Sequence, residues 1–321
     1  MIIVTGGAGF IGSNLVTGLN RQGREDILVV DNLKDGRKFH NLVTTKINDY
    51  LDKNAFFALI SKDEDFADKI DVVFHDGACT VTTEWDGQYM LQNNFEYSKV
   101  LLHYCTKRHI PFIYASSAAI YGANTNFQVV PKNEKPLNVY GYSKLLFDQY
   151  VRQHITKANS PVVGLRYFNV YGPHEQHKNN MASVMLHFNH QALQENKIKL
   201  FAASHGYKDG EQRRDFIHID DVVAVNLWIW KELSRISGPA IFNLGTGQSR
   251  SFNDAAKAVL NWHQQHGRSI NIEYIPFPEK LQDAYQCFTE ADMNTLHTLG
   301  FNTKFKTLEK GVKEYLDWLN S

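Results

Sequence analysis

The sequence has few cysteines, no net charge and no long apolar run. Cys79, Cys105 and Cys287 are the only three in 321 residues. An odd number without paired spacing excludes a disulfide framework and points to a reducing compartment. Lys plus Arg number 34 and Asp plus Glu 34, so the formal charge is zero. That balance argues against a dedicated nucleic-acid binder, which needs a basic excess, yet it leaves room for a local basic pocket. Nowhere do about 18 apolar residues run together, as a membrane span requires; the stretch Val222–Trp230 is too short and contains Asn226. Met1 leads into Ile2-Ile3-Val4-Thr5 without the basic and apolar regions of a signal peptide. The expectation is a soluble cytoplasmic protein with neither membrane nor nucleic acid as partner. There is no Pro/Ser-rich linker, internal repeat or low-complexity tract. Against these absences, 43% hydrophobic and 12% aromatic residues supply an ample core.

The first half alternates short apolar runs with helical patterns. Ile2–Val4, Ile27–Val30, Val72–Phe74, Phe112–Tyr114 and Val162–Leu165 are continuous rather than alternating runs. Such strands are buried on both faces, which implies a parallel sheet wound with helices on each side. Helical stretches are expected at Ile11–Leu19, Glu96–Lys107 and Tyr142–His154. Beyond about residue 170 the pattern loosens. Helices are expected at Ala182–Gln194 and Val222–Leu233, strands at Ile198–Phe201 and Asp215–Ile219, and a polar loop at Ala202–Arg214. The fold class is α/β: a doubly wound parallel sheet of the Rossmann kind, with a smaller mixed α/β C-terminal lobe. The expected division is 1–170 for the dinucleotide and 171–321 mainly for substrate, with some later segments returning to the first part.

Thr5-Gly6-Gly7-Ala8-Gly9-Phe10-Ile11-Gly12 lies between the first strand and first helix. Glycines there allow a tight turn, close approach of backbone to a pyrophosphate, and close packing of helix on strand. The helix N-terminus then offers free N–H groups and partial positive charge to phosphates. Asp31 ends the second strand 19 residues beyond Gly12, where a carboxylate can accept both hydroxyls of an adenosine ribose. Asp31 alone favours NAD over NADP, because it repels a 2′-phosphate. Lys34, Arg37, Lys38 and Lys53 could neutralise that phosphate, so both cofactors remain open.

Tyr140 and Lys144 stand at i and i+4 in Tyr140-Gly141-Tyr142-Ser143-Lys144, neighbours on one helix face. An ammonium beside a phenol favours the phenolate and lowers its pKa. Ser116-Ser117 follows the Phe112–Tyr114 strand at the carboxyl edge of the sheet, where open α/β sheets bind ligands. A hydroxyl there can orient a substrate alcohol for the tyrosine.

The glycine fingerprint with Ser117, Tyr140 and Lys144 resembles the extended short-chain dehydrogenase/reductases that act on nucleotide sugars. Narrower blocks are Asp31–Gly36, Gly77-Ala78-Cys79, Thr82-Thr83-Glu84-Trp85-Asp86-Gly87, Lys135–Lys144, Arg166–Pro173, His177-Lys178 and Met181–Val184. Over essentially the whole chain these are similar to the ADP-L-glycero-D-manno-heptose 6-epimerases. The resemblance implies an isomerase that inverts C6″ of ADP-glycero-manno-heptose by transient oxidation and re-reduction with tightly bound NADP, serving the lipopolysaccharide inner core. It implies Tyr140 and Lys178 as the two acid/base groups, with Lys144 and Ser117 in support. Implied cofactor contacts are Gly6, Gly9, Phe10, Ile11, Gly12, Asp31, Asn32, Lys38, Lys53, Asp76, Gly77, Ala78, Cys79, Thr80, Asn93, Lys144, Val170 and Lys178. Implied substrate contacts are Ser117, Asn169, Asn180, His187, Phe201, Ala202, Ala203, Ser204, Arg214 and Tyr285, with Arg214 or Arg213 on the ADP pyrophosphate. A homo-oligomer, commonly a pentamer, is implied as well. The sequence departs from the family at Asp76, where Glu is usual, around Lys178, and in a longer Ala203–Gln212 segment.

Other features carry less. Fourteen histidines include i, i+3 pairs but no set with metal-ligand spacing, so no metal is expected. Cys79 reads as a small buried filler, Trp228 and Trp230 as core or subunit contact, and Lys62–Lys69 as a solvated face. Competing functions are another nucleotide-sugar epimerase or dehydratase, and a non-catalytic dinucleotide sensor. Ala118-Ala119 after Ser117, instead of the Asp-Glu of a dehydratase, counts against a dehydratase, and the presence of both Tyr140 and Lys144 counts against a sensor.

Overall fold

Seven parallel strands form the central sheet of the protein. The structure is a computed structural model that describes residues 1–154, 160–236, 238–279 and 285–321. In chain order, β1 (Ile2–Thr5) leads to α1 (Phe10–Arg21), β2 (Ile27–Asp31), β3 (Asp49–Asp52) and α2 (Lys53–Ser61). Next come β4 (Val72–His75), α3 (Gly87–Leu91), α4 (Tyr97–Lys107), β5 (Phe112–Ser117), α5 (Val139–His154) and β6 (Val162–Tyr167). The second half adds β7 (Asn169–Tyr171), α6 (Val184–Glu195), β8 (Lys197–Phe201), β9 (Arg213–His218) and α7 (Ile219–Lys231). It continues through β10 (Pro239–Leu244), β11 (Ser249–Ser251), α8 (Phe252–Gln265), β12 (Asn271–Ile275), α9 (Asn294–Leu299) and α10 (Leu308–Leu319).

The sheet runs β10-β6-β5-β4-β1-β2-β3, and each neighbouring pair is parallel. Why the strands are apolar throughout is visible in the side-chain alternation. Ile2, Val4, Val29, Val72 and Phe74 enter one core cluster, with Leu15, Leu19, Val222 and Val225 of α1 and α7. Ile3, Leu28, Val30 and Val73 enter the opposite one, with Phe56, Leu101, Phe147 and Val151 of α2, α4 and α5. Both faces are covered, as continuous apolar strands require. A third cluster joins α6, α8 and α10 to β8 through Phe188, Val259, Leu316 and Ile198. Two small sheets, β11-β9-β7 and β12-β8, complete the C-terminal part, while β10 returns from there to pair with β6.

Local differences from the sequence reading have physical causes. The helix expected to start at Glu96 starts at Gly87, where the Asp86 carboxylate caps the Tyr89 amide at 2.9 Å. It then passes through a π turn over Gln92–Glu96 before α4. The polar run Gln92-Asn93-Asn94 breaks the apolar period because Asn94 points inward, bonding the Cys79 amide and carbonyl at 2.7 and 2.9 Å and the Ser143 hydroxyl at 3.0 Å. β3 escaped notice because Asp-Tyr-Leu-Asp is an edge strand with no fully buried residue. Arg213 and Arg214 lie in β9 rather than in the preceding loop. Trp228 packs edge-on to Phe301 and Trp230 edge-on to Phe74, as core residues would. The Lys62–Lys69 segment is almost wholly exposed. Among the described residues, no helix is long and apolar enough to cross a membrane.

Candidate active site

A cleft of about 750 Å³ opens where β1, β2 and β4 end. Its walls include Gly6, Gly9, Phe10, Ile11, Gly12, Asp31, Asn32, Lys38, Lys53, Asp76, Gly77, Ala78, Cys79, Thr80, Asn93 and Lys178. All sixteen are residues that the sequence suggested for a cofactor. Lys144 and Val170 are not among the lining residues; Lys144 is buried behind the cleft. Gly6 has φ of +69°, and a Cβ there would lie 2.7 Å from the Gly77 nitrogen; a Cβ on Gly12 would lie 2.3 Å from the Gly6 carbonyl oxygen. Any larger residue would separate the turn from β4 or lift α1 off it. Gly9 caps α1 without a side-chain hydrogen bond, so the first-turn amides are left for an anion. Two buried polar atoms in the cleft wall, Asp76 Oδ2 and the Tyr97 hydroxyl, have no hydrogen-bond partner among the described residues. Glycine turn, uncapped helix and orphaned polar atoms together fit a dinucleotide.

At the β2 end, Asp31 is engaged on both oxygens. Oδ2 accepts the Ala8 amide at 2.9 Å, and Oδ1 pairs with the Lys38 ammonium at 2.5 Å. Lys53 donates to Asn93 Oδ1 at 2.5 Å and stands 5.4 Å over the Tyr97 ring. Cys79 is half-buried in this wall, which corrects its reading as a buried filler: Asn94 holds its backbone and leaves the thiol beside the cleft. It lines the same cleft as Lys53 and Thr80.

α5 brings Tyr140 and Lys144 to β5. Asn138 caps the helix, its side chain accepting the Gly141 amide at 2.8 Å. Lys144 Nζ donates to the Ala115 carbonyl at 2.8 Å, and burial brings its pKa down to about 8, with Asp148, Asp76 and Cys79 opposing. One turn further on, buried Asp148 accepts from the Tyr114 hydroxyl at 2.9 Å, the Ser116 hydroxyl at 3.0 Å and Arg166 at 2.9 Å. Arg166 also meets Glu134 at 2.5 Å, which holds Arg152 at 2.7 Å. Registry between β5, β6 and α5 is therefore fixed by a buried ionic network. Burial pushes the Tyr140 phenol up, and a Ser117 hydrogen bond partly offsets this. The expected lowering by Lys144 does not enter: its ammonium is turned to the Ala115 carbonyl, and desolvation raises the phenol.

Asp76 closes the inner end. Its Oδ1 accepts the Tyr167 hydroxyl at 3.3 Å, and burial pushes its pKa up to about 7, with Tyr167 and Lys144 opposing. On the outer side, Lys178 lies in a 3₁₀ segment, Gln176–Met181, its ammonium 5.2 Å over the Phe10 ring. Burial lowers its pKa and Glu175 opposes that.

The suggested substrate residues fall apart from the cleft lining. Asn169 on β7 accepts from the Thr289 hydroxyl at 3.2 Å. Arg214 is buried and stands 4.9 Å from the Tyr285 ring and 5.5 Å from that of Phe252. Arg213 is committed elsewhere, to the Ser249 hydroxyl and carbonyl at 3.1 and 2.6 Å. Phe201 and Tyr285 meet Phe277 and His205, neither of which the sequence had flagged. Ala202, Ala203 and Ser204 belong to a folded loop: the Ala203 amide bonds Asp209, and Ser204 pairs with Tyr207. Asn180 lies in the Lys178 segment and His187 in α6.

Residues 2–245 match the profile of the NAD dependent epimerase/dehydratase family. The chain belongs to that family. A nicotinamide dinucleotide is accordingly its cofactor. The chain is 55% identical over 317 residues to ADP-L-glycero-D-manno-heptose-6-epimerase from Alkalilimnicola ehrlichii, covering 99% of this chain and 97% of that one. Its structure is similar to that of the Helicobacter pylori enzyme of the same name, with a TM-score of 0.82, 30% identity and coverage of 100% and 96%. UDP-glucose 4-epimerase from Thermotoga maritima, solved with UDP-glucose, gives a TM-score of 0.78 at 27% identity, with 99% and 98% covered. In this epimerase/dehydratase, one histidine–carboxylate cluster among the described residues has metal-site spacing: His218, Asp220 and Glu314. The Lys306 ammonium already pairs with both of its carboxylates, at 2.6 and 2.5 Å.

Proposed function

We propose that this chain inverts C6″ of ADP-D-glycero-D-manno-heptose to the L-glycero form, in the cytoplasm, supplying heptose for the lipopolysaccharide inner core. The observation that carries the reading is the 55% identity, over nearly the full length of both chains, to a heptose 6-epimerase. The alternative 4-epimerases share the fold and the redox core, but the examples of known structure stand at 27% identity or below.

The first-turn amides of α1 would hold the cofactor pyrophosphate, and Asp31 and Asn32 its adenosine ribose. Lys38 already neutralises Asp31, and Lys34 and Lys53 line the same cleft; this charge supports NADP over NAD. A bound nicotinamide would supply hydride transfer from C6″ and back to it. Tyr140 takes or gives the proton of the C6″ oxygen on one face of the sugar, oriented by Ser117. Lys144, its ammonium now bonded to the Ala115 carbonyl, would hold the nicotinamide ribose. Lys178 serves the other face, where burial eases release of its proton. Between the two transfers C6″ is a ketone, and the sugar turns so that its opposite face is reduced. Arg214, rather than Arg213, binds the ADP pyrophosphate, its guanidinium being held over Tyr285 with its bidentate edge uncommitted to any carboxylate among the described residues. The 171–321 part contributes most of this sugar-nucleotide site.

The test is incubation of purified protein with ADP-D-glycero-D-manno-heptose, without added cofactor, while C6″ configuration is followed by NMR. Inversion with no net cofactor change is expected. Absence of inversion with dinucleotide demonstrably bound would move the substrate to another sugar nucleotide.

A further inference from the structure

The loop carrying Lys178 closes on a buried carboxylate that the redox core does not use. Glu175 is fully buried, and its oxygens gather both ends of the loop. Oε1 accepts from the Gly172 amide at 3.4 Å and the Ser183 hydroxyl at 2.6 Å; Oε2 accepts the Ser183 amide at 2.5 Å. Its backbone carbonyl accepts the Lys178 amide at 2.9 Å. Between those ends the backbone is left-handed at His174, with φ of +75°, and at Asn179, with φ of +49°. Non-glycine residues keep such conformations only where their surroundings hold them.

These hydrogen-bond donors are all neutral, which is unusual for a buried carboxylate. The cation it acts upon is Lys178, whose loss of ammonium character on burial Glu175 opposes. Other groups around this pair are His177, held low by burial and by Lys38 and Lys178, with Asp31 and Asp35 opposing. From α10, the Tyr315 phenol faces Glu175 and is pushed up by burial and by that charge. The Phe10 ring covers the ammonium from α1.

We propose that Glu175 is the positioning residue of Lys178: it staples Gly172 to Ser183, sets the ammonium over Phe10, and keeps a negative charge behind it. The proposal rests on the acid/base role given to Lys178 above. The dinucleotide-loaded enzyme is assayed with ADP-D-glycero-D-manno-heptose across pH as wild type, Glu175→Gln, Glu175→Asp and Lys178→Met. Glu175→Gln is expected to lower kcat at least ~10-fold, the scale of a misplaced reacting group, with KM and bound dinucleotide little changed. One limb of its kcat–pH profile moves to lower pH, because the ammonium loses its counter-charge, while the other limb stays. Glu175→Asp restores that limb without the full rate. Wild-type kcat and profile in Glu175→Gln overturn the proposal, and so does a lower kcat with both limbs unmoved. If Glu175→Gln does not fold, Ser183→Ala, which retains the carboxylate, is expected to lose kcat several-fold; wild-type turnover there overturns it too. Normal turnover in Lys178→Met instead removes the acid/base reading itself, whatever Glu175 does.

Discussion

Lys144, buried, and Lys178, half-buried, are both cations beside one cleft, yet opposite kinds of structure hold them. Lys144 sits in the second turn of a sixteen-residue helix, bonded to a strand carbonyl and backed by the Asp148–Arg166–Glu134 network. Lys178 sits in a short irregular segment whose shape depends on two left-handed residues and one buried glutamate. Regular structure sets the first by registry, so a change there disturbs folding. Local hydrogen bonds set the second, so a change there should disturb chemistry and spare the core.

The sharpest test of that contrast is turnover. Tyr140→Phe and Lys178→Met should each lower kcat by about 10²–10⁴-fold, the range for losing a positioned acid or base, with the folded chain and its dinucleotide retained. Near-normal rates in either would strike that residue from the mechanism. On stability the two regions should separate clearly. Asp148→Ala leaves Arg166 short of a buried counter-charge and should cost about 3–5 kcal/mol, read as a lower midpoint in urea, whereas Lys178→Met should barely move it. Equal destabilisation would erase the distinction. Next is Arg214→Ala, expected to raise KM for the sugar nucleotide about tenfold or more with kcat nearly kept, since it is assigned to the diphosphate. An unchanged KM would return that contact to Arg213 or elsewhere.

A further effect concerns pH. Asp76 titrates near 7 in the folded chain, pushed up by burial, and near 3.9 when unfolded. Between those values the native state binds more protons than the unfolded one, so this group removes stability as pH rises through the window. Asp76→Asn should flatten that part of a Tm-against-pH curve. A mutant curve parallel to wild type would show that Asp76 is already ionised in the fold.

The inner region was legible in the sequence because its physics is local. Unbroken apolar strands, a glycine turn and an i, i+4 Tyr–Lys pair each announce themselves over a few residues, and the cleft gathers sixteen of the residues expected there. What stayed hidden depends on distant partners. The π turn that aims Asn94 at Cys79 is masked by a polar run. Glu175 reads as an ordinary loop residue until Ser183 and α10 fold over it. His205 and Phe277 come together only because β8 and β12 lie side by side. The Tyr140 environment was misjudged for the same reason: helix spacing shows that a lysine is near, but not that its ammonium is turned toward Ala115.

β8 and β12 pair in parallel, with Phe201 opposite Ile275 as their last register partners. The chain segments that follow therefore leave from adjacent points in the same direction, one toward the 203–212 loop and the other toward Phe277. Neither strand belongs to the seven-stranded sheet. The ribbon is thus a shared mount: a shift of either strand carries both exits together, and with them the His205–Phe277 contact, 5.3 Å between rings, while the seven-stranded sheet shares no hydrogen-bonded strand with it.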